Sequence, residues 1–486
     1  MKPTTEQEII IKDFADTRVM KVNAVAGSGK TSTLELLAAA YRKPSLYMAF
    51  NKSIATEASE RFPNHVECRT THSLAYAEFG SKIRHKMSRP RGGYVNVAGT
   101  PSEIMQYYRI KDFEEMPALA IATLVYHTIK RFEQSADKVV AMHHCPTAKL
   151  KELCKMYDVL DLKAVRKEVQ KITKKFWEDR TDVDSDVLAS HDTYLKMWHL
   201  SSPRLDYDII YLDEAQDTNP VVLDIVRKQE HAKVCYVGDT YQSIYQFRGA
   251  VDAMEQVNAP TRILSMSFRY GQEIADEATD MIDGAIEIKG NPKIKSVVGE
   301  VDMSKPYTKI YRTNGLLLSE AVELVKEGKK VKCEVDATNL IKLLESAQAL
   351  FKGDMRKVKH PDVAPYQSWS MFMEAGDFNP DIKRAAQITE KGLSGMFIKY
   401  LAEVKKTSRE DYDVLLTTAH KSKGRQWDQV VIADDYPDTD ESGSRSDPER
   451  NLLYVALTRA VEVLEIASSI TCGKVSESTE ALSTVQ

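Results

Sequence analysis

Ala24-Val25-Ala26-Gly27-Ser28-Gly29-Lys30-Thr31 decides how the rest of the chain is read. It follows the apolar run VMKVNAV (19–25) and precedes STLELLAAAY (32–41), which is a strand, loop and helix in sequence. Glycines let successive backbone N–H groups curl around phosphate oxygens at a helix N-terminus. The following lysine reaches the β/γ-phosphates, and the hydroxyl after it faces a divalent cation. Ala26, Gly27, Ser28, Gly29, Lys30 and Thr31 are therefore expected to bind ATP, with Thr31 on Mg²⁺. Ala24 stands where the motif usually begins with glycine.

Outward from this loop, further apolar runs alternate with amphipathic stretches: SLYMAF (45–50), DIIYLDE (208–214), KVCYVGD (233–239), TRILSM (261–266), KIYRT (309–313), DVLLTTAH (413–420) and QVVIAD (429–434). Read as strands, they predict an α/β protein with two parallel-sheet cores. Each core is interrupted by a mainly helical, charged insertion. The expected division is 1–80 with 200–255 for the first, ATP-binding core and 81–199 for its insertion. The second core takes 256–335 with 405–486, and its smaller insertion is 336–404. DIIYLDE ends an apolar strand on two acids. Asp213 is expected to hold Mg²⁺, directly or through water, and Glu214 to act as general base toward the attacking water. Together the two motifs imply nucleotide hydrolysis but not what the energy drives.

Composition narrows the class. The 486 residues carry a formal net charge of −4, with 43% hydrophobic and 28% charged side chains, so any polyanion site must be local. Residues 82–91 hold five basic side chains and no acid, and 163–175 hold six against Glu168, which marks both as phosphate-facing candidates. Residues 434–449 read as an acidic, solvated loop. The six cysteines form no CxxC pair, so neither a zinc ribbon nor a disulfide framework is expected. The cluster His143, His144, Cys145 and Cys154 fits no zinc spacing. No apolar leader or membrane-length apolar run is present, and the expected location is cytoplasmic, or nuclear in a eukaryote.

DEAQDTNP (213–220), VGDTYQSIYQFRGA (237–250), LSMSFRY (264–270), TTAHKSKGRQWDQVVI (417–432) and NLLYVALTRA (451–460) follow the phosphate loop in order. The set resembles the superfamily 1 DNA helicases of the UvrD/Rep/PcrA type from Gln7 to Ala460. AGSGKTSTL, AFNKSIA and RTTHSLAY (69–76) are most similar to the branch of the F-box DNA helicases and small phage or bacterial relatives. No F-box region is expected before the motor, and the stretch after Ala460 is expected to be too short for a nuclease domain.

The resemblance implies two RecA-like cores clamping one ATP. In it Gln7 reads adenine, Phe268 stacks on it and Gln242 senses the γ-phosphate. Arg269 and Arg459 of the second core reach the same phosphate across the cleft. It also assigns DNA contact to Phe50, Asn51, Lys52, Thr71, His72, Tyr245, Phe247, Arg248, His420 and Lys421. Aromatics that stack on bases, set among backbone-directed polar groups, suit single-stranded nucleic acid. The implied activity is ATP-dependent translocation on single-stranded DNA and unwinding at single/double-strand junctions, 3′ to 5′, in replication, recombination or repair. The implied partners are DNA and replication or recombination proteins, with no membrane. An ATP-switched accessory factor that displaces proteins with little unwinding is the alternative, and an RNA helicase a further one. Three positions depart from the family: Ser32 for an arginine, Tyr241 in GDTYQS for aspartate, and Gln426 for the glutamate of KGLE.

Overall fold

The computed structural model describes residues 2–87, 99–246, 249, 251–360, 362–364, 366, 368–376, 380–407, 411–437, 446–468 and 470. Twelve strands among them form two six-stranded sheets. The first contains β1 (Val19–Ala24), β2 (Ser45–Ala49), β3 (Val66–Thr70), β4 (Ile209–Leu212), β5 (Lys233–Gly238) and β6 (Thr261–Leu264), in the order β3-β2-β4-β5-β1-β6. The second contains β7 (Val297–Val298), β8 (Tyr307–Tyr311), β9 (Val331–Cys333), β10 (Val414–Thr418), β11 (Trp427–Ile432) and β12 (Ala460–Ile466), in the order β7-β12-β11-β8-β10-β9. The pairings between these strands are parallel. This is the α/β architecture expected from the alternating runs.

Parallel sheets are covered by helices on both faces, so their central strands are apolar throughout. Accordingly β2, β4 and β10 are buried at every position. Because the strands of the first sheet run the same way, the loops after β1, β4 and β5 leave at one edge. That edge carries the phosphate loop, Asp213–Glu214 and Asp239–Gln242 together, where open α/β sheets bind ligands.

The helices from Thr71–Ala75 to His191–Leu200 lie between β3 and β4, around a core that includes Ile104, Leu124, Phe132, Leu153, Val169 and Phe176. A buried ion pair of Arg180 with Glu133 (3.0 Å) braces it, and Ser190 and Thr193 hydroxyls donate to the same carboxylate. Helices Ala337–Phe351, Trp369–Gly376, Pro380–Glu390 and Ser394–Lys406 lie between β9 and β10. One expectation needs correcting. Thr261–Leu264 falls in the span assigned to the second core, yet it pairs with Lys21–Ala24 in the first sheet. It satisfies the backbone groups that the β1 edge would otherwise leave open. No helix among the described residues is long and apolar enough to cross a membrane.

Candidate nucleotide and nucleic-acid site

The phosphate loop turns on two left-handed glycines, Gly27 (φ 77°) and Gly29 (φ 83°), before the helix Lys30–Ala40. A Cβ on Gly27 would lie 2.7 Å from both Arg269 Cβ and Ser267 Oγ, so the turn excludes any side chain. Ser28 Oγ is buried inside the loop without a hydrogen-bond partner. Gln7 and Phe268 converge on Gly29: a Cβ there would be 3.8 Å from Gln7 Nε2 and 3.7 Å from the Phe268 ring. Gln7 is buried, accepts from Thr4 N–H and donates to Thr33 Oγ1 (both 3.0 Å). Phe268 N–H donates to the Gly27 carbonyl (2.9 Å) while its ring stays exposed.

Asp213 accepts from Tyr47 Oη (2.5 Å) and Thr31 Oγ1 (3.4 Å). Burial and the charge of Glu214 push its carboxyl up, with Tyr47 and Lys30 opposing. A hydroxyl beside a carboxylate short of positive charge is the hard-oxygen donor set that suits Mg²⁺. Glu214 takes a left-handed backbone (φ 51°) that turns its carboxylate toward Lys30 (3.8 Å) and Lys423 (3.6 Å). Burial pushes it up, but Lys30 and Lys423, with the Gln216 amide and Arg459, together outweigh that and hold it at about 2.

The second lobe meets this edge through a buried polar network. Arg459 donates to Gln242 Oε1 (3.5 Å), Thr458 Oγ1 (3.0 Å) and the carbonyls of Val455 (2.8 Å) and Arg425 (3.3 Å). Burial first, then the neighbouring Arg269, pushes it down to about 9. Gln242 Nε2 donates to buried Asp239 (2.7 Å). The Tyr454 hydroxyl also donates to Asp239 (3.3 Å) and accepts from the phosphate-loop Ala26 N–H (3.2 Å). Arg269 sits at the junction of the lobes, its backbone against Gly27. Its guanidinium donates to the Thr458 carbonyl (2.8 Å) and to Gln426 Oε1 (3.1 Å). The structure thus gathers Lys30, Thr31, Asp213, Glu214, Gln242, Arg269 and Arg459 at one cleft.

The candidate strand face lies beside it. Phe50 and Tyr245 rings stack nearly parallel (5.8 Å, 15°), with His420 6.1 Å from Tyr245. Lys52 and His72 line a cavity of about 960 Å³ with Arg69, Tyr76, His191 and Tyr194. His72 pairs with Asp192 (3.3 Å), and Lys421 donates to the Glu334 carbonyl. Asn51 caps the helix Lys52–Arg61 through Ile54 N–H, and Thr71 is buried, so both side chains also serve the fold. Phe247 and Arg248 lie outside the described residues.

Among the described residues of the two basic stretches, Lys82, Arg84, Lys163, Lys167 and Lys174 are exposed, and the other lysines and arginines are engaged within the fold. Lys86 is buried, donating to the carbonyls of Asp179 and Asp182, and 88–98 lie outside the described residues. On the helix Leu162–Thr181, Lys171 pairs with Glu168 and Lys175 with Asp179, while Arg166 donates to Thr147. Cys145 and Cys154 are core residues. His143 and His144 instead share Asp137 Oδ2 at 2.6 and 2.9 Å. Those are hydrogen-bond lengths, tighter than the roughly 3.3 Å between ligands around tetrahedral zinc.

Sequence reasoning missed Tyr47, Asp217, Asp239, Lys423 and Tyr454. Lys423 is the most connected: its ammonium reaches Asp217, the Gln242 carbonyl (2.8 Å) and Glu214. Asp217 and Lys423 lie inside quoted strings, DEAQD and TTAHKSKG, but only the fold reveals that they face each other.

Residues 4–258 match the UvrD/REP helicase N-terminal domain, and 413–464 the UvrD-like helicase C-terminal domain. The chain is 29% identical to F-box DNA helicase protein 1 of Schizosaccharomyces pombe, over 96% of this chain and 58% of that protein. It is 28% identical to F-box DNA helicase 1 of Gallus gallus, over 97% of this chain and 49% of that protein. The chain therefore spans about half the length of these curated relatives.

Proposed function

The chain belongs to the UvrD/REP helicase family, and from that premise we propose that it is an ATP- and Mg²⁺-dependent DNA helicase that translocates 3′ to 5′ on single-stranded DNA. The observation that carries the reading is the continuous polar network from Lys30 of the phosphate loop through Glu214, Lys423 and Gln242 to Arg459 of the other lobe. A cleft of this kind makes hydrolysis depend on how the lobes approach each other.

The residues divide the work. Gly27, Ser28 and Gly29 present the phosphate cradle, where the buried, unpartnered Ser28 hydroxyl and the absence of room for a Cβ fit a bound polyphosphate. Phe268 offers a ring face and Gln7 an amide at the base side of the cradle. Thr31 and Asp213 would hold Mg²⁺, which neutralises phosphate charge when bound. Lys30 compensates charge on the β/γ-phosphates. Glu214 accepts the proton of the attacking water, and Gln242 senses the γ-phosphate. Arg459 and Arg269 neutralise the charge that builds on the transferred oxygens. Phe50, Tyr245 and His420 supply stacking surfaces for unpaired bases, while Lys52, His72 and Lys421 face the backbone. Such a motor serves replication, recombination or repair.

The test is ATP hydrolysis with and without single-stranded DNA, beside strand displacement from 3′- and 5′-tailed duplexes and matched RNA oligomers. Stimulation by DNA and displacement from the 3′ tail are expected. Hydrolysis indifferent to any strand would remove the reading. Stimulated hydrolysis that clears a bound protein but leaves duplexes intact would replace it with the accessory-factor alternative.

A further inference from the structure

We propose that Lys423 is a positioning residue that couples the strand site to hydrolysis: it is shared between the Asp217 and Glu214 carboxylates, and a base stacking on Tyr245 draws it off Glu214. This rests on the reading above, in which Glu214 serves the attacking water and Tyr245 is a stacking platform.

Lys423 directly follows the short helix Ala419–Ser422 of the second lobe, and its side chain is only 10% exposed. Every partner of its ammonium belongs to the first lobe. It contacts the Asp217 carboxylate and the Gln242 carbonyl (2.8 Å), pairs with Glu214 Oε2 (3.6 Å), and lies 5.6 Å from the centre of the Tyr245 ring. One ammonium therefore touches the hydrolytic carboxylate and the strand-facing aromatic at once.

The Glu214 carboxylate is fully engaged. Oε2 also accepts from Gln216 Nε2 (2.5 Å), and Oε1 faces Lys30 at 3.8 Å. When Lys30 turns to phosphate, Lys423 and Gln216 still hold the other oxygen. Lys423 already donates to Asp217 Oδ2, and Asp217 Oδ1 beside it is buried without a hydrogen-bond partner, so this carboxylate can take the ammonium over completely. An unpaired buried carboxylate oxygen is costly, so a full shift of Lys423 onto Asp217 satisfies both groups.

The strand side supplies the push. The Phe50 and Tyr245 rings are 5.8 Å apart, whereas a base inserted between two rings needs about 7 Å at ordinary carbon contact distances. Insertion must displace a ring. Tyr245 is tied to the second lobe, because its hydroxyl donates to the His420 carbonyl (3.1 Å) in the same short helix and its face supports Lys423. Stacking thus shifts the Tyr245–His420–Lys423 unit against fixed Glu214 and Asp217.

The experiment compares ATP turnover with and without oligo-dT for the wild type, Lys423→Gln, Lys423→Arg and Asp217→Asn. In Lys423→Gln the strand-free rate should rise about tenfold or more, within the range of a positioned base, and the stimulation ratio should fall by a similar factor. Lys423→Arg, which keeps the charge, should recover much of the ratio. Asp217→Asn removes the alternative seat and should lower the stimulated rate, which tests the idea even if Lys423→Gln misfolds. A strand-free rate in Lys423→Gln that is unchanged or lower overturns the inference, as does a wild-type stimulation ratio in Asp217→Asn. A wild type without strand stimulation removes the helicase reading itself. A stimulated wild type whose ratio survives Lys423→Gln removes only this coupling.

Discussion

Lys30 and Arg459 separate nucleotide binding from turnover. Lys30 sits at the start of a helix whose N–H groups already favour anions, so Lys30→Ala is expected to abolish hydrolysis and greatly weaken binding of a fluorescent ATP analogue. Arg459 is buried against Gln242 and remains cationic at neutral pH even at about 9. Arg459→Ala is expected to bind the analogue nearly normally and to turn over about 10³-fold more slowly, the scale of an arginine finger. Normal hydrolysis by both variants would contradict the cleft assignment. Gln426 explains how the chain tolerates an amide in place of the family's glutamate. Its Oε1 accepts from Arg269 Nε, a bond that needs an oxygen but not a charge. Gln426→Ala should therefore slow turnover while Gln426→Glu keeps it, read as kcat at saturating ATP. The residues hardest to read from sequence were those whose partners are distant in the chain. Tyr47 bonds Asp213 across two strands, and Tyr454 bonds Asp239 and Ala26 across the cleft. Nothing local in SLYMAF or NLLYVAL distinguishes these hydroxyls from ordinary core tyrosines.

At the scale of elements, apolar runs mark β2, β4, β5 and β10, because strands covered on both faces have no polar side to show, while β1, β6, β8 and β11 are marked by shorter apolar stretches. The strands that escaped are of another kind. β3 reads VECRT with one fully buried residue, and β9 has three residues; each is an outermost strand of its sheet. β12, AVEVLEI, is interrupted by two glutamates and lies between β11 and the two-residue β7. β6 was found as a strand but assigned to the wrong sheet, since its sequence carries no mark of the partner it takes. The helical insertion depends on a polar contact that sequence hides as well. Glu133→Ala strands buried Arg180 and should cost about 3–5 kcal/mol, seen as a lower urea midpoint. On the strand face, Phe50→Ala removes half of the stacked pair and should weaken oligo-dT binding by about 1–3 kcal/mol, while ATP-analogue affinity in the absence of DNA stays the same.

For the molecule as a whole, the net charge of −4 and the placement of the basic side chains limit how DNA can be held. A uniformly basic surface would bind strands tightly and release them slowly, whereas a translocating motor must let go in each cycle. Of the described residues in the two basic stretches, Lys86 is spent on backbone carbonyls inside the fold and Lys171 and Lys175 are paired with acids on their own helix, whereas Lys82, Arg84, Lys163, Lys167 and Lys174 are exposed. Beside the stacked aromatics the described basic side chains are few, with Lys52 exposed at the rim of the large cavity. Affinity for single strands should then fall with salt at a slope set by only a few phosphates, each contributing about 0.7 to the log–log slope. Lys52→Ala should reduce that slope by about 0.7 and weaken strands of different sequence equally, because a phosphate contact reads no base. Titrations of oligo-dT and mixed-sequence oligomers across a salt series test both parts. An unchanged slope would move the backbone contacts away from the Lys52–His72 cavity, and a sequence-dependent loss would mean that Lys52 touches a base.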